Sequence, residues 1–155
     1  MKKTEISKKF QLKTFLPHRL ALLSTHASNG VSQIYHLRHG LSRAQWRTIA
    51  VLAEYGEVSA GDIAQMTSMD KVKISRALKN LAAQKIIMVR SDPKDARRKY
   101  ASLAAAGQKI YRDITPRVLA WERDLLVTLT PQQRKSLQQT LTQLEQALHL
   151  YTSHH

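Results

Sequence analysis

The sequence predicts a mainly α-helical fold with one small β-wing, and three observations predict it. Apolar residues recur every four and three positions near both ends of the chain. Capping signals punctuate the middle at short intervals, and two β-rich runs flank a basic, turn-forming stretch. At 155 residues the length suits about one domain. A subunit of this size can also complete its core with a partner.

Leu16, Leu20, Leu23, Ala27, Gly30, Ile34 and Leu37 alternate in steps of four and three, the mark of a long helix with a coiled-coil-like seam. Pro17 suits its first turn. Ser42 with Gln45 three residues on is a capping box, and Gly56 is placed to stop the helix that follows. Ser59 and Asp62 open a third, shorter helix; Asp70 opens a fourth that should run to about Gln84. Next, "IIMVR" (Ile86 to Arg90) and "KYASL" (Lys99 to Leu103) read as strands around a connection from Ser91 to Arg98, longer than an ordinary hairpin turn. A fifth helix should run from Ala105 to about Val127. Thr130 and Pro131 then start a sixth, whose Leu137, Leu141, Leu144, Leu148 and Tyr151 repeat the four-three seam.

The compact middle could hardly cover the seams of the terminal helices. A homodimer with interleaved terminal helices buries them; a monomeric bundle using them internally is the alternative.

Charge narrows the partners. Lys plus Arg number 25 and Asp plus Glu 11, a net +14, which points to a polyanion such as nucleic acid, an anionic membrane or an acidic protein. From Asp70 to Tyr100 ten Lys or Arg face three Asp, so half of the net charge sits in one fifth of the chain. Absence of cysteine excludes disulfides and thiolate metal sites. No stretch is long and apolar enough to span a membrane, and "MKKTEISKKFQLK" lacks the apolar core of a signal peptide, so a cytoplasmic protein is expected. His36 and His39 share a helix face without a third ligand at a telling distance, so no metal is expected. No nucleophile motif, phosphate-binding glycine loop or paired carboxylates appear; neither an enzyme nor a cofactor is expected.

On a helical wheel the fourth helix places Ile74, Ala77, Leu78 and Leu81 on one face and Val72, Lys73, Ser75, Arg76 and Lys79 on the other, with Lys71 in the first turn. A helix that follows a shorter helix and a tight turn, and whose free face is basic, meets the needs of a major-groove reader. Arg76 could fork onto a guanine and Val72 could touch a thymine methyl. The plainer reading is a solvated basic face. In the loop, Lys94, Arg97 and Arg98 fit a projecting tip that enters a minor groove. Asp95 is an acid in the wrong company; it could hold Arg97 or a neighbouring helix's cation, or simply favour the turn.

With these residues in place, the chain resembles the MarR family of winged helix-turn-helix transcriptional regulators. "LSRAQWRTIAVLAEYGEVSAGDIAQMTSMDKVKISRALKNLAAQKII" is similar to the family's helix-turn-helix core, and "DPKDARRKYASLAAAG" to its wing, with Asp95 and Arg97 at the recurring aspartate and arginine. The resemblance implies an N-terminal arm and first dimerisation helix (1–40), a winged helix-turn-helix DNA-binding region (41–103) and C-terminal dimerisation helices (104–155). It also implies a homodimer on a pseudo-palindromic double-stranded operator, acting as a repressor that a phenolic or aromatic acid releases. Two positions depart from the family: Ala96 where an arginine is usual, and Ala104 where a threonine would cap the fifth helix. "FLPHRLALLSTHASNGVSQIY" is similar to a subgroup controlling aromatic-compound catabolism; there Arg19 would hold a ligand carboxylate, with His18, His26, Trp46 and Arg47 as neighbours. A sequence-indifferent architectural nucleic-acid binder, or a helical module for an acidic protein partner, would use the same charge.

Overall fold

The computed structural model describes residues 10–95 and 97–153, with side chains as far as residue 149. The element order is α1 (Leu16–His39), α2 (Arg43–Tyr55), β1 (Val58–Ser59), α3 (Ala60–Thr67), α4 (Lys71–Ala83), β2 (Ile87–Ser91), β3 (Lys99–Leu103), α5 (Ala105–Leu126) and α6 (Pro131–Ser153). A short 3-10 turn, Leu12–Thr14, precedes α1. This is a mainly helical fold with a β-wing, as the sequence predicts.

The capping chemistry forms as expected. Ser42 accepts the Gln45 N–H while Gln45 Oε1 accepts the Ser42 N–H, a reciprocal box at the head of α2. Ser59 caps α3 by accepting the Asp62 N–H. Thr130 and Gln133 form a second box at the head of α6. Glycine ends two helices: Gly40 sits in the left-handed region after α1, and Gly56 takes φ +77° after α2.

The sheet departs from expectation. It has three strands in the order β1-β3-β2, because Val58 and Ser59 pair antiparallel with Ala101 and Tyr100. The second strand starts at Ile87 rather than Ile86 and runs on to Ser91. Ile86 is occupied elsewhere. Its N–H donates to the Leu81 carbonyl, closing the end of α4 while Lys85 adopts a left-handed φ of +57°, and its carbonyl accepts the Ala104 N–H at 3.0 Å. That last bond anchors the start of α5 where a side-chain cap was expected to be missing. Gly107, in the next turn, lies so close that a Cβ there would stand 2.3 Å from the same Ile86 carbonyl oxygen.

The chain divides into two compact units that meet at Thr115 and Pro116, within α5. In the first, Leu41, Ile49, Leu52, Ile63, Ile74, Leu81, Ile86, Ile87, Ala101 and Ile114 form the core. Arg38 and His39 at the end of α1 both reach Asp113 at 2.9 Å. The second unit comprises the remainder of α5, a turn and α6. Its Leu137, Leu141 and Leu148 are exposed; Tyr151 lies outside the described side chains, as the terminal His pair does outside the described residues.

Candidate nucleic-acid interface and ligand cavity

Helix α4 owes its position to a cap and a stripe. Asp70 accepts the N–H groups of Val72 and Lys73 at 2.8 and 3.2 Å, which fixes its first turn. Just before it, Ser68 takes a left-handed φ of +50°, and the Met69 N–H closes back on the Ala64 carbonyl at 3.0 Å. This is the tight turn between α3 and α4. Ile74, Ala77 and Leu81 are buried beneath the helix, with Leu78 partly so. Lys71, Val72, Lys73, Ser75, Arg76 and Lys79 are all exposed, so the structure brings the six predicted contact residues of this helix to solvent. Val72 is 56% exposed, an apolar side chain on an otherwise polar face.

The loop between β2 and β3 is shaped by its aspartates. Asp92 accepts the Lys94 N–H at 2.7 Å, and its own N–H donates to the Arg98 carbonyl. The hydrogen bond from the Lys94 amide, chiefly, lowers the Asp92 carboxyl below its ordinary value. Asp95 accepts the Arg97 backbone N–H at 3.0 Å, and its carbonyl accepts the Arg98 N–H. Its bond to Arg97 therefore runs to the backbone, and the residue shapes the turn. Lys94, Arg97 and Arg98 stand exposed along the loop; Ala96 lies outside the described residues.

Below the loop sits a pair the sequence reading missed. Arg90 on β2 clasps Glu57 with two hydrogen bonds, that from Nε measuring 2.7 Å, and its guanidinium lies 4.9 Å from the centre of the Tyr100 ring. The Arg98 guanidinium lies 6.0 Å from that ring centre. Arg90 holds the Glu57 carboxyl below its ordinary range. One cation of the basic segment is thus spent on the stem of the wing.

Between α1 and α2 a cavity of about 190 Å³ is lined by Ala27, Ser28, Val31, Tyr35, Arg43 and Arg47. Burial raises the Tyr35 phenol above its ordinary pKa, opposed by the charge of Arg43, by its hydrogen bond, and by the charge of Arg47. Arg47 donates to the Thr67 carbonyl at 3.0 Å, tying the cavity wall to the last residue of α3. Beside it Trp46 is stacked between Tyr35 and Tyr111, with ring centres 5.9 and 6.0 Å away. Of the residues predicted to hold a ligand, Arg47 lines this cavity and Trp46 adjoins it. His18, Arg19 and His26 belong to α1 outside this lining, Arg19 and His26 on exposed positions. Tyr35 and Arg43 went unpredicted, since only the packing of α1 on α2 puts them together. No group of three potential metal ligands occurs among the described residues.

Comparison with known proteins agrees with this geometry. The MarR family model matches residues 39–98. A MarR/EmrR family transcriptional regulator from Acinetobacter sp. ADP1 superposes with a TM-score of 0.81 at 23% identity, covering 91% of this chain and 99% of its own. MepR of S. aureus, solved with DNA, gives 0.76 at 21% identity over 86% of this chain and 98% of its own. BpsR of Bordetella bronchiseptica, whose DNA binding is regulated by 6-hydroxynicotinic acid, gives 0.70 at 21% identity over 82% and 98%. Among curated proteins no sequence match was found. Residues 39–98, from the end of α1 through the wing loop, match the MarR family model, within a chain that shares its fold with MarR-family regulators along most of its length.

Proposed function

We propose that the chain is a homodimeric, sequence-specific transcriptional repressor of the MarR family that aromatic or phenolic acids release from DNA. The observation that carries this reading is the exposed face of α4, where Lys71, Val72, Lys73, Ser75, Arg76 and Lys79 stand clear of a buried stripe inside a family-matched segment. In this reading α4 enters the major groove, Arg76 reads a base edge, and Lys94, Arg97 and Arg98 follow the neighbouring minor groove, with Asp95 shaping their loop. Two such heads related by a two-fold axis read half-sites roughly 34 Å apart. The dimer is built from the seams of α1 and α6 together with α5. A regulator of this kind works on cytoplasmic DNA; no helix among the described residues is long and apolar enough to cross a membrane.

The ligand would lie at the α1/α2 cavity with its carboxylate toward Arg47 and its ring near Trp46. Arg47 also holds the carbonyl that ends α3. An anion competing for that guanidinium loosens the turn into α4, and a ligand favouring the loosened dimer disfavours DNA. The regulated BpsR, whose effector is itself an aromatic carboxylic acid, supports this ligand class and, with it, the aromatic-catabolism subgroup. Selection of bound fragments from random duplexes, with and without 4-hydroxybenzoate, tests the reading. A pseudo-palindrome should be enriched, and the acid should lower its recovery. Capture without sequence preference would instead make the chain an architectural binder.

A further inference from the structure

We propose that a groove between the head of α2 and α4 seats a backbone phosphate of the DNA, with Arg43 and Asn80 as its unassigned ligands. The proposal rests on the DNA-binding reading above and adds a site beside the reading face. The groove has a volume of about 360 Å³ and is lined by Ser42, Arg43, Met69, Lys73, Arg76 and Asn80 together with Ala44 and Ala77.

Its lining holds three cations and no acid. Two arginines elsewhere in the molecule are neutralised by acids: Arg38 bonds Asp113, and Arg90 is clasped by Glu57. Among the described residues no ion pair involves Arg43, Lys73 or Arg76. Arg43 meets neutral groups, the Asn29 side-chain oxygen at 3.5 Å and the Tyr35 hydroxyl. Like charges gathered in one concavity repel, and an anion seated among them removes that cost. Asn80 adds a neutral donor on the wall contributed by α4. The amides at the head of α2 play no part, because Ser42 and Gln45 satisfy each other there. What remains is a set of side chains suited to a singly charged, oxygen-rich group. A helix that lies in the major groove is flanked by phosphates, so this groove, at the side of α4, faces such a group whenever α4 is engaged.

Arg76 borders both the groove and the exposed face, so its removal alone is not diagnostic. Arg43 and Asn80 separate the two roles. Duplex affinity is measured against salt for the wild type, Arg43→Gln, Asn80→Asp and, as a remote cation on α5, Lys109→Gln. Loss of one phosphate contact should lower the log-log salt slope by about 0.9 and weaken every duplex alike, by about tenfold. Arg43→Gln should behave so; Asn80→Asp should weaken all duplexes by repulsion, and Lys109→Gln should match the wild type. Wild-type affinity and slope in both groove variants would overturn the site and leave the DNA reading standing. Changes confined to certain sequences would overturn it too, making these residues base readers. A wild type that binds no duplex at low salt would remove the DNA reading and this site with it. If inorganic phosphate raised the melting temperature in an Arg43-dependent way while duplex affinity ignored Arg43, the groove would hold an anion other than DNA.

Discussion

The α2–α5 core of the first unit and the helices of the second bury their apolar residues to opposite extents. In the first, Ile49, Ile63, Leu81 and Ile114 are 0% exposed. In the second, Leu125, Val127 and Leu148 are 53, 70 and 59% exposed. The first unit contains three layers that can close on one another: α2, α3 and α4, the small sheet, and the start of α5. Helices α2, α3 and α4 are fixed by packing within one chain, whereas α1 of the same unit leaves Leu23 and Leu37 62 and 80% exposed. A helix such as α6 has good caps at its head, yet caps and propensity sustain only marginal helicity without a buried face. Periodicity therefore says that a face must be covered and leaves open what covers it.

The largest expected effect breaks this contrast directly. Replacing Leu137 and Leu141 together with Glu should dissociate the proposed dimer, since each leucine buried in it contributes about 1.5–3 kcal/mol and two correspond to roughly a hundredfold or more in the dissociation constant. Sedimentation equilibrium reads the change. A wild type that sediments as single subunits would show that the exposed seams of the second unit are not a dimer interface.

What was legible in the sequence follows the range of the interactions. Ser42 with Gln45, Asp70 and Thr130 act within three residues, and each cap formed where its residues stood. The strands β2 and β3 were visible to within a residue because β-branched and aromatic runs flank a turn. By contrast β1 is two residues long, and Val58 and Ser59 are a strand only by pairing with β3 more than forty positions away. Ser68 and Lys85 take left-handed backbone where sequence reasoning looks for glycine. Of the site, the basic face of α4 was readable because one helix carries it. Glu57 with Arg90, Arg43 beside Lys73, and Tyr35 with Arg47 come from separate elements, and no local pattern joins them.

A smaller effect sharpens the claim that the first unit closes on itself. Gly107 fits α5 against the Ile86 carbonyl and Leu103, where an added Cβ would stand 2.3 and 3.0 Å from them. The first obstacle is backbone, which yields poorly. Gly107→Ala should cost about 1–3 kcal/mol in urea unfolding through overpacking, despite alanine's better helix propensity. Unchanged or higher stability would mean that α5 shifts freely against the strand base.

The smallest expected effect concerns the stem of the wing, where the charges of the first unit meet solvent. Arg90 lowers the Glu57 carboxyl below its ordinary 4.5, chiefly through their hydrogen bond. The pair's contribution to stability is therefore complete above the unfolded-state value and disappears as pH falls through the lower folded value. Both partners are exposed, so salt screens them and the contribution is modest. In urea titrations at pH 7 and pH 3, Glu57→Gln should lose less stability on acidification than the wild type, and added salt should narrow the difference. Equal losses in the two proteins would mean that the clasp orients Arg90 over Tyr100 without stabilising the fold, leaving the wing's position to the β2–β3 pairing alone.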